Sequence, residues 1–304
     1  MIQKGPGEKL ILQPAPMPTV LEVLQKTTDF LARREIPSAK LESELLLAAA
    51  LGCRRLDLFL RFEQPLSEAQ LVTLRDHVAR RGRREPRQYI AGRTGFLDFE
   101  VACDRRALIP RPETEELAEL IFSRVATPPA AALDLGTGTG VLALAMARRW
   151  PDCRVVAIDA DENTLALARS NATALGLADR ISFSCARWPE GLPKLGSFGV
   201  VVSNPPYLTE EEWATAAPEV RDWEPRAALV ADDHGLADLR TIVQVAPTIL
   251  ESGGLLALET GVAHHAQLAA IASSVSIDGQ PAYARTESTR DLSRRDRFFL
   301  AWRA

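Results

Sequence analysis

Leu133-Asp134-Leu135-Gly136-Thr137-Gly138-Thr139-Gly140 joins an apolar run to a loop with glycine at every second position. Without a Cβ, the backbone there can turn tightly and a ligand can approach it closely. Ala131–Leu135 reads as a buried strand and Val141–Arg149 as the helix that follows. Arg154–Ile158 is the next strand, closed by Asp159, and Glu162–Leu175 the next helix. An acid about 20 residues beyond such a loop, at a strand end, can accept hydrogen bonds from ribose hydroxyls. Further along, Ile181–Cys185 and Val200–Ser203 read as strands, Gly235–Leu250 as a helix and Leu255–Glu259 as a strand. A helix over 266–273 and two strands, Ala282–Arg285 and Phe298–Trp302, close the chain. Repeated βαβ units imply an α/β fold, a parallel sheet covered on both faces, with its ligand at the carboxyl ends of the strands.

Upstream the period is helical. Residues 1–17 hold Gly5, Pro6, Gly7, Pro14 and Pro16 without periodicity and read as a flexible lead-in. Leu21, Leu24, Phe30 and Leu31 recur at helical spacing, Ser38 is a candidate N-cap for a second helix, and Ser67-Glu68-Ala69-Gln70 fits a capping box. Residues 18–88 are therefore expected to form a small all-helical domain. Tyr89-Ile90-Ala91-Gly92 and Phe96–Val101 alternate like a hairpin, making 89–108 a linker before a main domain over 109–304. Ile109-Pro110-Arg111-Pro112 is extended, and the acids from Glu113 onward open a helix.

The second informative stretch is Val200-Val201-Val202-Ser203-Asn204-Pro205-Pro206-Tyr207. Two prolines stiffen the backbone and remove two N–H donors. The Asn204 side-chain oxygen and the Pro205 carbonyl remain as acceptors for an –NH2 group, and Tyr207 offers a flat face to a planar group. The glycine loop alone leaves a dinucleotide and S-adenosylmethionine both open, although its G-x-G-x-G spacing differs from the dinucleotide pattern. A rigid clamp for a planar amide or amine nitrogen favours S-adenosylmethionine. Such a clamp aims the nitrogen at a sulfonium methyl, where positioning supplies most of the rate.

Bulk properties narrow the classes. With 46% hydrophobic and 25% charged residues in 304, the chain can bury a sizeable core, and a formal net charge of -4 argues against a nucleic-acid-binding excess. The basic run Arg80-Arg81-Gly82-Arg83-Arg84 is either a solvated helix end or a docking patch for RNA or an acidic partner. Cys53, Cys103, Cys153 and Cys185 form no close pair, so neither a disulfide framework nor a zinc site is expected. The longest apolar stretch, Leu45 to Leu51, is far too short to span a bilayer, and a cytoplasmic location is expected. Arg111 is either functional or ion-paired with Glu113 or Glu115. Glu259 reads as a sheet-end polar residue, His264-His265 as a solvated loop without metal, and Trp213 and Trp223 as packing residues.

Taken with Ile109-Pro110-Arg111-Pro112-Glu113-Thr114-Glu115 and the terminal Arg290-Asp291-Leu292-Ser293-Arg294-Arg295-Asp296-Arg297, these segments resemble the HemK/PrmC-type protein-(glutamine-N5) methyltransferases. The resemblance runs over nearly the whole chain from residue 18. It implies a Rossmann-like class I S-adenosylmethionine-dependent methyltransferase domain behind the N-terminal helices. It also implies that Gly136, Thr137, Gly138, Thr139 and Gly140 line the methionine end of the cofactor, that Asp159 holds the ribose and that Trp188 flanks the adenine. Asn204, Pro205, Pro206 and Tyr207 would bind the substrate, with Asn204 also close to the cofactor. That substrate would be the glutamine of the Gly-Gly-Gln loop in a class I peptide chain release factor, gripped in part by the helical domain. Many relatives carry an acid before the Trp188 position, whereas this chain has Arg187, which cannot accept a hydrogen bond. Two other readings stay open: a nucleic-acid amino-methyltransferase acting on adenine or guanine, and a cofactor-binding regulator without activity.

Overall fold

The computed structural model describes residues 17–187 and 196–304. Trp188 lies outside them, as do residues 1–16 of the expected lead-in. The chain divides after Ala91 into two compact units.

The first unit is helical: α1 (Val20–Arg33), α2 (Ala39–Leu51), a 3-10 turn (Arg55–Leu60), α3 (Glu68–Arg81) and α4 (Arg87–Ala91). Two capping boxes start helices. Thr19 Oγ1 accepts from the Glu22 N–H at the head of α1, and Ser67 Oγ from the Gln70 N–H at the head of α3, both at 3.3 Å. Each returns a bond from the third residue to the cap N–H, so two otherwise orphan donors are satisfied at each end. Ser38 precedes α2 but makes no side-chain cap and sits at φ 52°, against expectation. Val20, Leu24, Leu31, Leu46, Leu47, Leu71 and Leu74 close a single core. Within the basic run, Arg81 is buried against Glu42 at 2.6 Å and Arg80 holds Glu85 at 2.6 Å. Those two charges are largely spent inside the unit. Tyr89–Ala91, expected in a strand, belong to α4 instead.

The second unit opens with the hairpin β1 (Arg93–Phe96) and β2 (Phe99–Ala102), then α5 (Pro112–Arg124). There follow β3 (Ala131–Leu135), α6 (Val141–Arg149), β4 (Arg154–Asp159), α7 (Glu162–Ala174), β5 (Ile181–Cys185) and β6 (Phe198–Ser203). Short helices α8 (Glu210–Ala214), α9 (Pro218–Arg221) and α10 (Asp232–Gly235) lead into α11 (Ala237–Val245), β7 (Leu250–Glu259) and α12 (His265–Ser274). A small ladder, β8 (Ser276–Ile277) with β9 (Gln280–Pro281), precedes β10 (Tyr283–Arg290) and β11 (Asp296–Arg303).

Seven strands form one sheet in the order β10-β11-β7-β6-β3-β4-β5. Alternation along the strands splits the core in two. Ala132, Val200, Val202 and Ala257 face α5 and α6, while Leu133, Val201, Leu256 and Leu258 face α11 and α12. The sheet is mixed rather than all-parallel: β11 runs antiparallel to both β7 and β10. A short polar turn can join only antiparallel neighbours, so the final hairpin could not have extended the parallel register. The expected helix Gly235–Leu250 is also shorter. Gly235 sits at φ 81°, Pro247 lies in a 3-10 turn after α11, and Leu250 already starts β7.

Candidate active site

Strands β3 and β6 are sheet neighbours, yet the chain runs from β3 to β4 and β5 on one side and from β6 to β7 on the other. At such a reversal the loops leaving the two strands diverge and open a crevice at their carboxyl ends. Those loops are the glycine loop and Asn204–Tyr207. Leu135 pairs with Ser203 on one side and Ile158 on the other, so Gly136, Asn204 and Asp159 leave the sheet at one level. The Ser203 hydroxyl donates to the Leu135 carbonyl at 2.6 Å, locking the two strand ends together.

The loop is held from below and open above. Gly136, Gly138 and Gly140 have φ of 72°, 58° and 90°, values that L side chains resist. The Gly136 and Thr137 N–H groups both donate to the Ile158 carbonyl at 2.9 Å. Gly138 N–H donates to Asp159 Oδ2 at 3.0 Å, and Asp161 N–H to Asp159 Oδ1 at 3.1 Å. A Cβ on Gly138 would meet nothing within 4 Å, whereas one on Gly140 would press on Ala168 at 3.2 Å. The first glycine therefore faces open space and the second allows α6 to pack on α7. Burial raises the Asp159 carboxyl, although three backbone N–H groups pull it back down.

Beneath the loop lies Asp134, fully buried. Its Oδ2 accepts the Thr137 hydroxyl at 2.6 Å and the Ala143 N–H at 3.1 Å, while Oδ1 has no partner. Burial pushes this carboxyl up to about 7. The Thr139 carbonyl receives Asn171 Nδ2 at 2.9 Å, and the same side chain makes two bonds to the backbone of Ala102. Asn171 thus ties the loop to the hairpin. Asp134 lies in the quoted stretch and Asn171 inside a helix, so neither stands out by pattern alone.

The acceptor segment is anchored by a buried polar chain. Asn204 Nδ2 donates to Thr114 Oγ1 at 3.0 Å, and the Thr114 hydroxyl donates to Glu259 Oε2 at 2.7 Å. The Tyr207 hydroxyl donates to Glu259 Oε1 at 3.0 Å. Arg297 donates to the Thr260 carbonyl at 2.9 Å and lies 5.7 Å from the Tyr207 ring centre. Glu259 is the last residue of β7, at the sheet end as expected, and at 1% exposed it is also an internal anchor. Burial raises its carboxyl, opposed by the two hydroxyls and Arg297. Burial first, and then the Glu259 charge, raise the Tyr207 phenol, which stays protonated. The Tyr207 backbone is fixed by its own N–H and that of Leu208, both donating to the Leu229 carbonyl.

Other expected residues fall differently. Arg111 pairs with neither Glu113 nor Glu115. It reaches the buried Glu224 at 2.6 Å, and the other Glu224 oxygen accepts from the Ile109 N–H. That carboxyl is raised by burial and drawn down by Arg111. His264 and His265 are 6% and 8% exposed, not solvated. The His234 carbonyl and the Thr260 hydroxyl are their partners at 3.1 and 3.0 Å. Trp213 and Trp223 are half-buried, each with an arginine over its ring, Arg226 at 5.3 Å and Arg105 at 4.0 Å.

Sheet order, switch-point crevice and glycine loop define a class I S-adenosylmethionine-dependent methyltransferase fold, and a family model described as a methyltransferase domain matches residues 132–223. A second, described as the PrmC N-terminal domain, matches residues 22–92. A release factor glutamine methyltransferase of Chlorobaculum tepidum is 40% identical over 79% of this chain and 85% of its own. Those of Nitratidesulfovibrio vulgaris and Deinococcus radiodurans are 34% and 37% identical, over 94% and 93% of this chain and 95% and 98% of theirs. The chain belongs to the release factor glutamine methyltransferase family.

Proposed function

We propose that this enzyme methylates the side-chain amide nitrogen of the glutamine in the Gly-Gly-Gln motif of class I peptide chain release factors, using S-adenosylmethionine. The observation that carries the reading is the held amide of Asn204. Its Nδ2 donates to Thr114, so its oxygen is the end left as an acceptor, on the strand end that pairs with the start of the glycine loop.

The residues present fit the cofactor. The face above Gly138 is open, and the Asp159 carboxyl, held by the Gly138 N–H on Oδ2 and the Asp161 N–H on Oδ1, keeps acceptor capacity toward a ribose. Gly136, Thr137, Gly138, Thr139 and Gly140 would hold the methionine end. Trp188 would lie by the adenine, next to Arg187, which supplies no acceptor there. Bound S-adenosylmethionine supplies an electrophilic methyl on sulfonium.

The chain's own part is to hold and orient the substrate amide. Asn204 Oδ1 and the Pro205 carbonyl accept from its –NH2, which keeps electron density on a poor nucleophile, and Tyr207 faces its plane. The methyl would pass from the sulfonium to the amide nitrogen with S-adenosylhomocysteine as the leaving product, and the amide would give up one proton. Positioning accounts for most of the acceleration, and no side-chain base is needed.

Residues 18–88 are proposed to grip the release factor, and a cytoplasmic location is proposed with it because the substrate would be a translation factor. A nucleic-acid amine as acceptor is disfavoured, since its one sequence support, the 80–84 run, spends Arg80 and Arg81 on Glu85 and Glu42. The test is peptide-level mass spectrometry of an unmodified class I release factor incubated with the enzyme and S-adenosylmethionine. One methyl on the Gly-Gly-Gln glutamine is expected. An unmodified factor, with cofactor binding shown in the same preparation, would refute the substrate.

A further inference from the structure

We infer that Thr114 and Glu259 are positioning residues that set which end of the Asn204 side-chain amide faces the substrate. The inference rests on the reading of Asn204 as the acceptor for the substrate amide. It adds two residues to that reading, neither of which touches the substrate in it.

An asparagine amide is nearly symmetric in shape and opposite in chemistry at its two ends. For the substrate –NH2 only the oxygen is useful. Turned half a revolution, Asn204 would present two donors to two donors. Its own backbone does not decide between these states, so a neighbour must. Thr114 Oγ1 is that neighbour, at 3.0 Å. A hydroxyl can donate or accept, so Thr114 alone would tolerate either end. Glu259 removes the ambiguity. Its Oε2 lies 2.7 Å from Thr114 Oγ1, and its Oε1 receives the Tyr207 hydroxyl at 3.0 Å. Both of its oxygens are taken as acceptors, Oε2 by Thr114 and Oε1 by Tyr207, so the Thr114 proton points to Glu259 and its lone pair to Asn204. The near end of the amide is then Nδ2, and Oδ1 is turned away from Thr114.

The relay is shielded from water, which would otherwise satisfy either orientation. Thr114 is 3% exposed and Glu259 1%. Thr114 comes from α5, Glu259 from the end of β7, and Asn204 directly follows β6. The same carboxyl group also holds the Tyr207 hydroxyl, so one buried acceptor orients both side chains of the acceptor segment.

The test compares Thr114→Val, which removes the hydroxyl at nearly equal volume, with Thr114→Ser, which keeps it. Two readouts are taken on the full chain. The first is the side-chain NH2 resonance of Asn204 by 15N NMR, assigned by its loss in Asn204→Ala, and its hydrogen-exchange rate. Exchange is expected to quicken at least tenfold in Thr114→Val and stay within threefold of wild type in Thr114→Ser. This readout needs no substrate, so it tests the relay even if the release factor proves not to be methylated. The second is turnover on the release factor. Thr114→Val is expected to lower kcat tenfold or more with the S-adenosylmethionine Kd within twofold, and Thr114→Ser to recover to within fivefold of wild type. In an Asn204→Ala background, Thr114→Val is expected to cost less than threefold further, because the residue it orients is gone. An unchanged Asn204 exchange rate in Thr114→Val overturns the relay. So does an equal kcat loss in both backgrounds, or a loss of cofactor binding that Thr114→Ser does not restore.

Discussion

Replacing Gly235 by alanine puts the geometry of the acceptor segment under direct test. Gly235 sits at φ 81° behind Tyr207. A Cβ there would overlap the Tyr207 carbonyl oxygen, lie 2.9 Å from the Tyr207 carbonyl carbon and 3.2 Å from His264 Cε1. Carbon pairs settle at ~3.5–4.0 Å, so the Tyr207 peptide would have to retreat by roughly 0.6–1 Å. It cannot do so freely, since the N–H groups of Tyr207 and Leu208 are both tied to the Leu229 carbonyl. The left-handed backbone costs an alanine about 1–2 kcal/mol, and overpacking adds roughly 1–3 kcal/mol. In a protein this size, each kcal/mol lowers Tm by about 2–4 °C, so a fall of several degrees is expected. A displacement near 1 Å at a positioned group costs on the order of a hundredfold in rate. Turnover on the release factor should therefore drop ten- to a hundredfold, while calorimetry finds S-adenosylmethionine affinity within about threefold, because the glycine loop leaves a different strand. A variant with wild-type Tm and wild-type kcat would show that the Tyr207 carbonyl does not lie against Gly235, and the clamp geometry would fall with it.

Two further outcomes are expected. Asp159→Ala should weaken S-adenosylmethionine binding about a hundredfold, since two hydrogen bonds to a charged group are worth roughly 3 kcal/mol or more together. An unchanged Kd by calorimetry would remove Asp159 from the ribose site. Asp134 concerns stability and pH. Its carboxyl is raised to about 7 by burial, so the folded state holds a proton that the unfolded chain gives up near the ordinary carboxyl value. The stability this contributes is full below about pH 4 and is lost as pH rises through 7. Without cofactor, the wild-type Tm minus that of Asp134→Asn should therefore rise as pH is lowered from 8 to 5, and a flat difference would contradict a protonated Asp134.

What could be read without coordinates was local. The glycine loop, Asp159, the capping boxes at Thr19 and Ser67, and the segment Asn204–Tyr207 are short patterns whose chemistry is written in adjacent residues. The strand–helix alternation around them was legible because apolar residues recur at the period of each element. Where the local signal was ambiguous, the reading went astray. Tyr89–Ala91 alternate like a strand but are helical, and Ser38 has a cap's chemistry without a cap's conformation. His264-His265 look polar but are buried, with one ring nitrogen of each held by a neighbouring carbonyl or hydroxyl.

The sequence by itself determined the doubly wound scaffold and the two loops that flank its crevice, because both follow from hydrophobic period and backbone freedom. Only the tertiary structure decided that β11 inserts antiparallel beside β7, that Arg111 meets Glu224, and that Thr114 meets Glu259 across 145 residues of chain. These depend on which distant side chains arrive at one place with complementary charge and proton. A threonine between two glutamates gives no sign of the carboxylate it will find. The sense of the Asn204 amide is decided at that same meeting, by a buried acceptor that leaves the Thr114 hydroxyl a single direction in which to donate.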